Sequence, residues 1–186
     1  MRVRVEVADK ALSRISGKEN CFAAAVVEKR YEELKPGRHV VLHHISDAGN
    51  LGTVLRTALG FGYRDIAVIR PAADGYDPRV IRASMGAIFS LRVKEYDDFD
   101  AYRREFPGQM LYPFMLDGSV MLEEAVQSLP PYESSLIFGN EGAGLPALFA
   151  QMGKPVRIPH SGDIDSLNLS IAAAIGMYAF MNAGGK

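Results

Sequence analysis

The 186-residue sequence has little cysteine and no long apolar segment. Its single cysteine, Cys21, excludes an intrachain disulfide and a zinc site built from cysteines, and is typical of a small buried residue. No apolar run reaches the roughly 18 residues that a membrane-spanning helix needs. The N-terminal stretch MRVRVEVADK lacks a signal-peptide core, so we expect a cytoplasmic protein with no membrane partner. The four histidines, His39, His43, His44 and His160, are each more typical of structural or surface residues than of metal ligands, and we therefore expect no metal site.

The charges are unevenly distributed along a chain whose net charge is only −1. Residues 1–94 contain 16 Lys and Arg against 10 Asp and Glu, whereas residues 95–186 contain 5 against 12. The first half can therefore face a polyanion, while the second forms a solvated surface. An uneven scatter of charge without function is the alternative.

Short apolar runs alternate with helical patterns along most of the chain. This alternation predicts an α/β fold with a mostly parallel sheet and helices on both faces. Strands are predicted at HVVLHH, DIAVI, LRVKEY, QMLYPFML, SLIF and PVRI. Helices are predicted over TVLRTALGFG, from the N-cap Asp77 to Met85, and over residues 98–106, 119–126, 146–152 and 167–183. Residues 1–37 form a separate N-terminal extension, with a strand at VRVEV and a helix over 20–35 that ends at Pro36 and Gly37.

The first stretch with chemical potential is SDAGNLGTVLRTALGFG, residues 46–62. It follows a strand and opens a helix, and open α/β sheets bind ligands at the carboxyl ends of their strands. A bend at Gly52 would bring Asn50 and Arg56 to that edge together. The alternative is an amphipathic helix with a solvated arginine, although Val54, Leu55, Ala58 and Leu59 surround Arg56 with apolar neighbours.

The second stretch is SLIFGNEGAGLP, residues 135–146, a buried strand that ends in a glycine-rich turn. Such turns often bind phosphate, but no Gly-Lys-Ser/Thr follows this one, and Glu141 would repel a phosphate. A neutral or cationic ligand fits the turn better. Glu141 would then partner a cation, hold Arg56 or order the loop. A purely structural turn remains open.

The third stretch is VRIPHSGDIDSLNLSIAAAIG, residues 156–176. A polar loop after Pro159 leads into a nearly all-apolar helix, which must be covered on every side. We expect Ser166 to cap this helix. Capping does not explain Asn168, which the pattern puts just inside the helix.

The three stretches together resemble the TrmH/SpoU family of the SPOUT superfamily, RNA ribose 2′-O-methyltransferases that use S-adenosylmethionine. The resemblance is carried by NLGTVLRTALGFG, IFGNEGAGL and IPHSGDIDSLNLSIAAAIG in this order, and it covers about residues 38–183. It implies a methyltransferase domain over 38–186 with a C-terminal trefoil knot, the SPOUT α/β knot. It also implies a homodimer whose active site uses both subunits, and a tRNA or rRNA substrate.

The resemblance also assigns site residues. It implies that the backbone of Gly139, Ile158 and Leu167 holds the cofactor, and Asn140 and Gly142 of the turn are included in this set. The implied catalytic residues are Asn50, Arg56, Glu141, Ser166 and Asn168. Arg56 is also a candidate RNA contact. Arg79 and Arg82 are further candidates because they follow the first motif in the basic half of the chain, and a solvated helix face is the alternative for these two.

Two rival functions remain at this point. One is a catalytically inactive RNA-binding protein with the same fold, which the retained catalytic set disfavours. The other is a nucleotide-phosphate-binding module built on the glycine turn, which Glu141 and the missing lysine disfavour.

Overall fold

A computed structural model describes residues 28–127 and 132–183 of the chain. The chain divides into two compact units, Met1–Arg30 and Tyr31–Lys186. Leu34 is buried in the core of the larger unit. The boundary expected after Gly37, between an extension and a methyltransferase domain, stays a prediction. The strand at VRVEV lies outside the described residues.

The prediction of a helix over residues 20–35 is wrong for its described part, residues 28–35. Residues 28–35 form neither helix nor strand, and residues 20–27 lie outside the described ranges. The backbone of Lys35 is used elsewhere, because its N–H donates to Asp65 Oδ1 at 2.8 Å and its carbonyl lies 2.7 Å from His39 Nε2. Contacts with the sheet therefore replace the helical hydrogen bonds.

The larger unit alternates strands and helices, as predicted. The strands are β1 (Arg38–His43), β2 (Asp65–Ile69), β3 (Arg92–Tyr96), β4 (Met110–Pro113), β5 (Val120–Met121), β6 (Ser134–Phe138) and β7 (Val156–Arg157). The α-helices are α1 (Ala48–Gly60), α2 (Pro78–Ala83), α3 (Phe99–Glu105), α4 (Leu122–Gln127) and α5 (Leu169–Ala183), with short 3₁₀ turns at Ala87–Ser90 and Ala147–Gln151.

The main sheet has the order β3-β2-β1-β6-β4, and every pair in it is parallel. Successive residues of β1 point to opposite faces. Val40 and Leu42 join a core covered by α1 and α5, whereas Val41 joins a second core with Phe99 and Tyr102 of α3. The prediction of a mostly parallel sheet with helices on both faces is confirmed. Pro113 ends the edge strand β4, where a missing N–H is tolerated.

Two predicted helices take another form. The helix expected from Ser119 begins at Leu122, because Val120 and Met121 pair with β7 in a second, two-stranded parallel sheet. The helix expected over 146–152 is the 3₁₀ turn Ala147–Gln151.

The C-terminal trefoil knot stays a prediction. None of the helices in the described ranges combines the length and apolar content needed to cross a bilayer.

Candidate active site

The first two motifs meet because their strands are neighbours. β1 and β6 run parallel, with Leu42 paired to Phe138, so both strands end at the same edge of the sheet. The loop before α1 leaves β1 there, and the glycine loop, residues 139–146, leaves β6 beside it. This is the edge at which open α/β sheets bind ligands.

Glu141 joins the two loops. Its carboxylate accepts hydrogen bonds from the Ser46 N–H at 3.3 Å, the Ser46 hydroxyl at 3.2 Å and the Asp47 N–H at 3.1 Å. The side-chain amides of Asn50 and Asn140 each donate to it at 3.3 Å. These hydrogen bonds order the two loops, which is one of the roles considered for Glu141 from the sequence. Among the described residues, Glu141 forms no hydrogen bond or ion pair with Arg56.

The charge of Glu141 is stabilised in this position. Burial by itself would raise the pKa of this carboxyl. The backbone N–H groups of Glu141, Asp47 and Ser46, helped by the Asn50 amide, lower the pKa below its usual value. Glu141 is therefore ionised at neutral pH and can face a cationic group.

Asn140 closes the glycine loop on itself. Its Oδ1 accepts the N–H groups of Gly142 at 2.9 Å and Ala143 at 3.0 Å, and its Nδ2 donates to the His44 carbonyl at 2.8 Å. Its backbone also exchanges two hydrogen bonds with Gly144, at 3.1 and 2.9 Å. Two N–H groups that a bound phosphate would need are therefore already paired inside the loop.

Gly139 is required by the loop's own packing. A Cβ atom at this position would lie 2.3 Å from the Gly144 carbonyl carbon and 2.4 Å from the Leu145 nitrogen. Gly144 has a φ of +67°, a conformation that favours glycine. Gly142 is different, because a Cβ there would meet nothing closer than Asn140 Oδ1 at 3.7 Å.

Asn168 caps α5 and also reaches the first motif. Its Oδ1 accepts the N–H of Ser170 at 2.9 Å and of Ile171 at 3.3 Å, so the helix cap expected at Ser166 lies at Asn168 instead. Its Nδ2 donates to Asn50 Oδ1 at 3.1 Å. Ser166 is exposed and lines a cleft beside the glycine loop.

A cleft of about 390 Å³ opens between the second and third motifs. Its walls include the glycine loop, with Gly139, Asn140, Glu141 and Gly142, and the third-motif residues Ile158, Ser166 and Leu167. Apolar side chains, among them Phe138, Leu145 and Val156, form much of the remaining wall. All five residues predicted to hold the cofactor therefore line one cavity.

Sequence reasoning missed one wall of this cleft. Residues 114–117 line it, directly after β4. Gly118 lets this segment run close to β7, since a Cβ there would lie 2.6 Å from the Val156 carbonyl carbon. The carboxyl end of a predicted strand was the available signal. His160, expected to be structural or on the surface, also lines the cleft.

Arg56 lies apart from the other catalytic candidates in this chain. Helix α1 is continuous from Ala48 to Gly60, so the bend expected at Gly52 is absent. Gly52 instead allows close packing on α2, because a Cβ there would lie 2.5 Å from the Ala83 Cβ. Six helical residues carry Arg56 about 9 Å along the axis from Asn50. Its side chain is exposed and makes no hydrogen bond or ion pair within residues 28–127 and 132–183.

The other candidate RNA contacts lie on α2. Arg79 is exposed and bound to Asp77 at 2.8 Å, which raises the pKa of Arg79, with a smaller contribution from Asp47. Arg82 is also exposed.

Among the described residues no cluster of His, Cys, Asp or Glu could hold a metal ion.

Comparison with known proteins matches the same region of the chain. Residues 37–178 match the model of the SpoU rRNA methylase family. The 23S rRNA (guanosine(2553)-2′-O)-methyltransferase RlmP of Bacillus subtilis is 32% identical over 164 residues, covering 83% of this chain and 62% of that protein. The 23S rRNA (adenosine(1067)-2′-O)-methyltransferase of Streptomyces azureus is 31% identical over 146 residues, covering 76% and 53%.

A solved structure of an RNA methyltransferase also resembles this chain. The AdoMet-bound rRNA methyltransferase of Sinorhizobium meliloti superimposes with a TM-score of 0.82 at 29% identity, covering 94% of this chain and 70% of that one. This chain spans about half the length of the curated relatives it matches. The family model nevertheless covers well over half of the chain, together with all three motifs. The chain therefore belongs to the SpoU rRNA methylase family.

Proposed function

We propose that the protein transfers a methyl group from S-adenosylmethionine to a ribose 2′-hydroxyl of tRNA or rRNA. The observation that carries this proposal is the hydrogen-bonded series Asn168–Asn50–Glu141, which ties all three motifs together at the cleft. The 2′-O-methyltransferases of Bacillus subtilis and Streptomyces azureus support the reaction type.

The cleft fits this cofactor in size and chemistry. Its volume of about 390 Å³ lies in the range of small-molecule sites. The apolar wall suits an adenine ring, and the ionised Glu141 suits a cationic sulfonium. Gly139, Asn140, Gly142, Ile158 and Leu167 would hold the cofactor. When bound, it supplies a methyl group already activated by a positive sulfur.

The chain's own residues must align the ribose oxygen and stabilise its negative charge as the proton leaves. Asn50 and Asn168 orient the substrate or the third motif, and Glu141 holds the loops that carry them. Ser166 is exposed at the cleft, where its hydroxyl can meet the ribose. A guanidinium is a poor base, so Arg56 binds a substrate phosphate and stabilises the developing alkoxide.

Arg56 would do this at the partner's site in a homodimer. Helix α5 exposes Ile171 and Tyr178, which are two turns apart on one face and 52% and 56% exposed. Tyr178 also contacts Phe61 at the end of α1, with ring centroids 5.8 Å apart. A second copy seated on this face would cover the two apolar side chains. It would bring Arg56 of one copy towards the cleft of the other.

Substrate RNA would pass over α2, where Arg79 and Arg82 are exposed to contact phosphates. The cytoplasmic location stays a prediction.

The phosphate-module alternative is weaker, because Asn140 already uses the N–H groups of Gly142 and Ala143. The inactive RNA-binding alternative has no structural observation in its favour.

Two measurements test the function. S-adenosylhomocysteine at 100 times its Kd should add about 2.7 kcal/mol of stability, whereas ATP should add none. Tritium from labelled S-adenosylmethionine should then enter RNA and be recovered as 2′-O-methylnucleoside after digestion. Absence of any melting shift would reject the cofactor, and a shift without transfer to any tRNA or rRNA would favour the inactive RNA-binding protein.

A further inference from the structure

A second cavity, of about 520 Å³, shares the glycine loop with the cofactor cleft. Asn140, Ala143 and Gly144 line both. The rest of its wall comes from the end of β1, with His43, His44 and Ser46, and from the segment after β2, residues 71–73. We call it the histidine cavity. Nothing in the methyl-transfer chemistry described above uses its two histidines.

His44 is held in an unfavourable backbone conformation. Its φ is +60°, which is uncommon for a residue with a side chain. Its N–H donates to the Ile69 carbonyl at 3.1 Å, and its carbonyl accepts from Asn140 Nδ2 at 2.8 Å. Strain maintained by tertiary contacts in this way is concentrated at functional sites.

The two histidine rings form a stacked pair. Their centroids are 3.8 Å apart and their planes differ by 29°. His43 is 6% exposed and meets the Phe149 ring edge-on at 5.1 Å. His44 is only half-buried, so it is the outer ring of the stack. The result is a flat aromatic surface at the cavity, fixed from behind by Phe149.

The cavity suits an uncharged planar group. Within the part of the chain that the structure describes, the lining residues include no Lys, Arg, Asp or Glu, so none of them gives a phosphate a charged partner. Burial, with a smaller contribution from His44, lowers the pKa of His43 to about 4, and the ring is neutral at neutral pH. Unpaired nucleobases are bound in this way, by stacking on aromatic or histidine rings beside polar groups.

The histidine cavity is one hydrogen bond away from the catalytic network. Ser46 lines it and donates its hydroxyl to Glu141 at 3.2 Å, while Glu141 lines the cofactor cleft. A nucleotide whose base lay in the histidine cavity would therefore have its ribose beside the glycine loop. We propose that the base of the nucleotide to be methylated binds in this cavity, stacked on His44. This inference rests on the proposed function.

His44→Gly and His44→Phe form the test pair. Glycine removes the ring and accepts a positive φ, so the fold should be kept, whereas phenylalanine keeps a stacking ring. Met85→Gly is the backbone control, because Met85 has a φ of +51° and lies outside the cavity. Unchanged binding of S-adenosylhomocysteine by all three variants shows that they are folded.

Binding is measured by saturation-transfer NMR with adenosine, guanosine, cytidine and uridine, with S-adenosylhomocysteine saturating the cleft. We expect saturation of the base protons of at least one nucleoside by the wild type, His44→Phe and Met85→Gly, and its loss in His44→Gly. In parallel, His44→Gly should raise the KM for unmodified RNA at least 10-fold. If His44→Gly uses RNA as the wild type does, the base site is overturned and the methyltransferase stands. If the wild-type protein itself does not bind S-adenosylhomocysteine, the proposed function is rejected instead.

Discussion

Asn168 donates its side-chain amide to Asn50, 118 residues earlier in the chain, over 3.1 Å. The same side chain caps α5 through its other polar atom, the oxygen Oδ1. One residue thus starts the last helix and fixes the third motif to the first. The two roles use different atoms, so substitutions can separate them.

Asn168→Asp should keep the cap and lose the bridge to Asn50. Aspartate is as good a cap as asparagine, so urea unfolding should show nearly wild-type stability, while methyl transfer falls. Asn168→Ala loses both roles and should lower the free energy of unfolding by about 0.5–2 kcal/mol. Equal stability losses in the two variants would contradict the capping role.

Gly139→Ala should abolish cofactor binding, whereas Gly142→Ala should not. The added methyl at 139 would overlap the backbone of Gly144 and Leu145 and force the loop open. At 142 the nearest atom is 3.7 Å away, which is ordinary contact. Calorimetric titration with S-adenosylhomocysteine compares the two. Similar affinity in both variants would mean that the closed loop does not form the binding site.

Arg56→Ala should reduce methyl transfer by about 10²–10³-fold, the usual effect of losing one electrostatic contact to a transition state. Affinity for S-adenosylhomocysteine should be unchanged, because Arg56 is not among the residues lining the cleft. Arg56→Lys keeps the charge without the bidentate fork, so its activity separates charge stabilisation from a geometric clamp.

Mixing Arg56→Ala with Glu141→Gln tests which subunit uses Arg56. If each site takes Arg56 from its partner, a mixed dimer contains one complete site, and co-expression restores activity that neither variant has alone. If each site uses its own arginine, both sites of the mixed dimer remain defective. Activity is measured on co-purified, differently tagged subunits.

Ile171→Glu should convert the expected dimer to a monomer, because it places a charge on the exposed apolar face of α5. Leu148→Glu is the matched control, since Leu148 is 58% exposed but lies in the 3₁₀ turn. Sedimentation velocity at micromolar concentration gives the mass of each. A monomeric wild type would reject the interface.

His43 should make the fold less stable in acid. Its pKa in the folded protein is about 4 against 6.5 for an unperturbed histidine, so between these values the unfolded chain binds the extra proton. Stability from this group is complete above pH 6.5 and is lost as the pH falls towards 4. His43→Phe should flatten the melting temperature over this window. If the melting temperature of His43→Phe falls with pH as steeply as that of the wild type, a group other than His43 causes the acid sensitivity.

The sequence by itself determined the succession of strands and helices. The strand DIAVI and the N-cap at Asp77 were predicted at the residues where the structure has them, because apolar runs and capping residues act over a few neighbours. The three motifs also indicated the region of the site. The family resemblance that they carry put Gly139, Ile158 and Leu167 into one set, and all three line the cleft.

The tertiary structure decided which partner each side chain takes. Glu141 binds Ser46 and Asp47 rather than Arg56, since parallel pairing of β1 with β6 brings residues some 95 apart into hydrogen-bond range. Gly52 serves helix packing rather than a bend, and Asn168 takes the cap expected at Ser166. Local preference fixes which element a residue joins. Side-chain partners depend on contacts between distant segments, which exist only once the sheet is assembled.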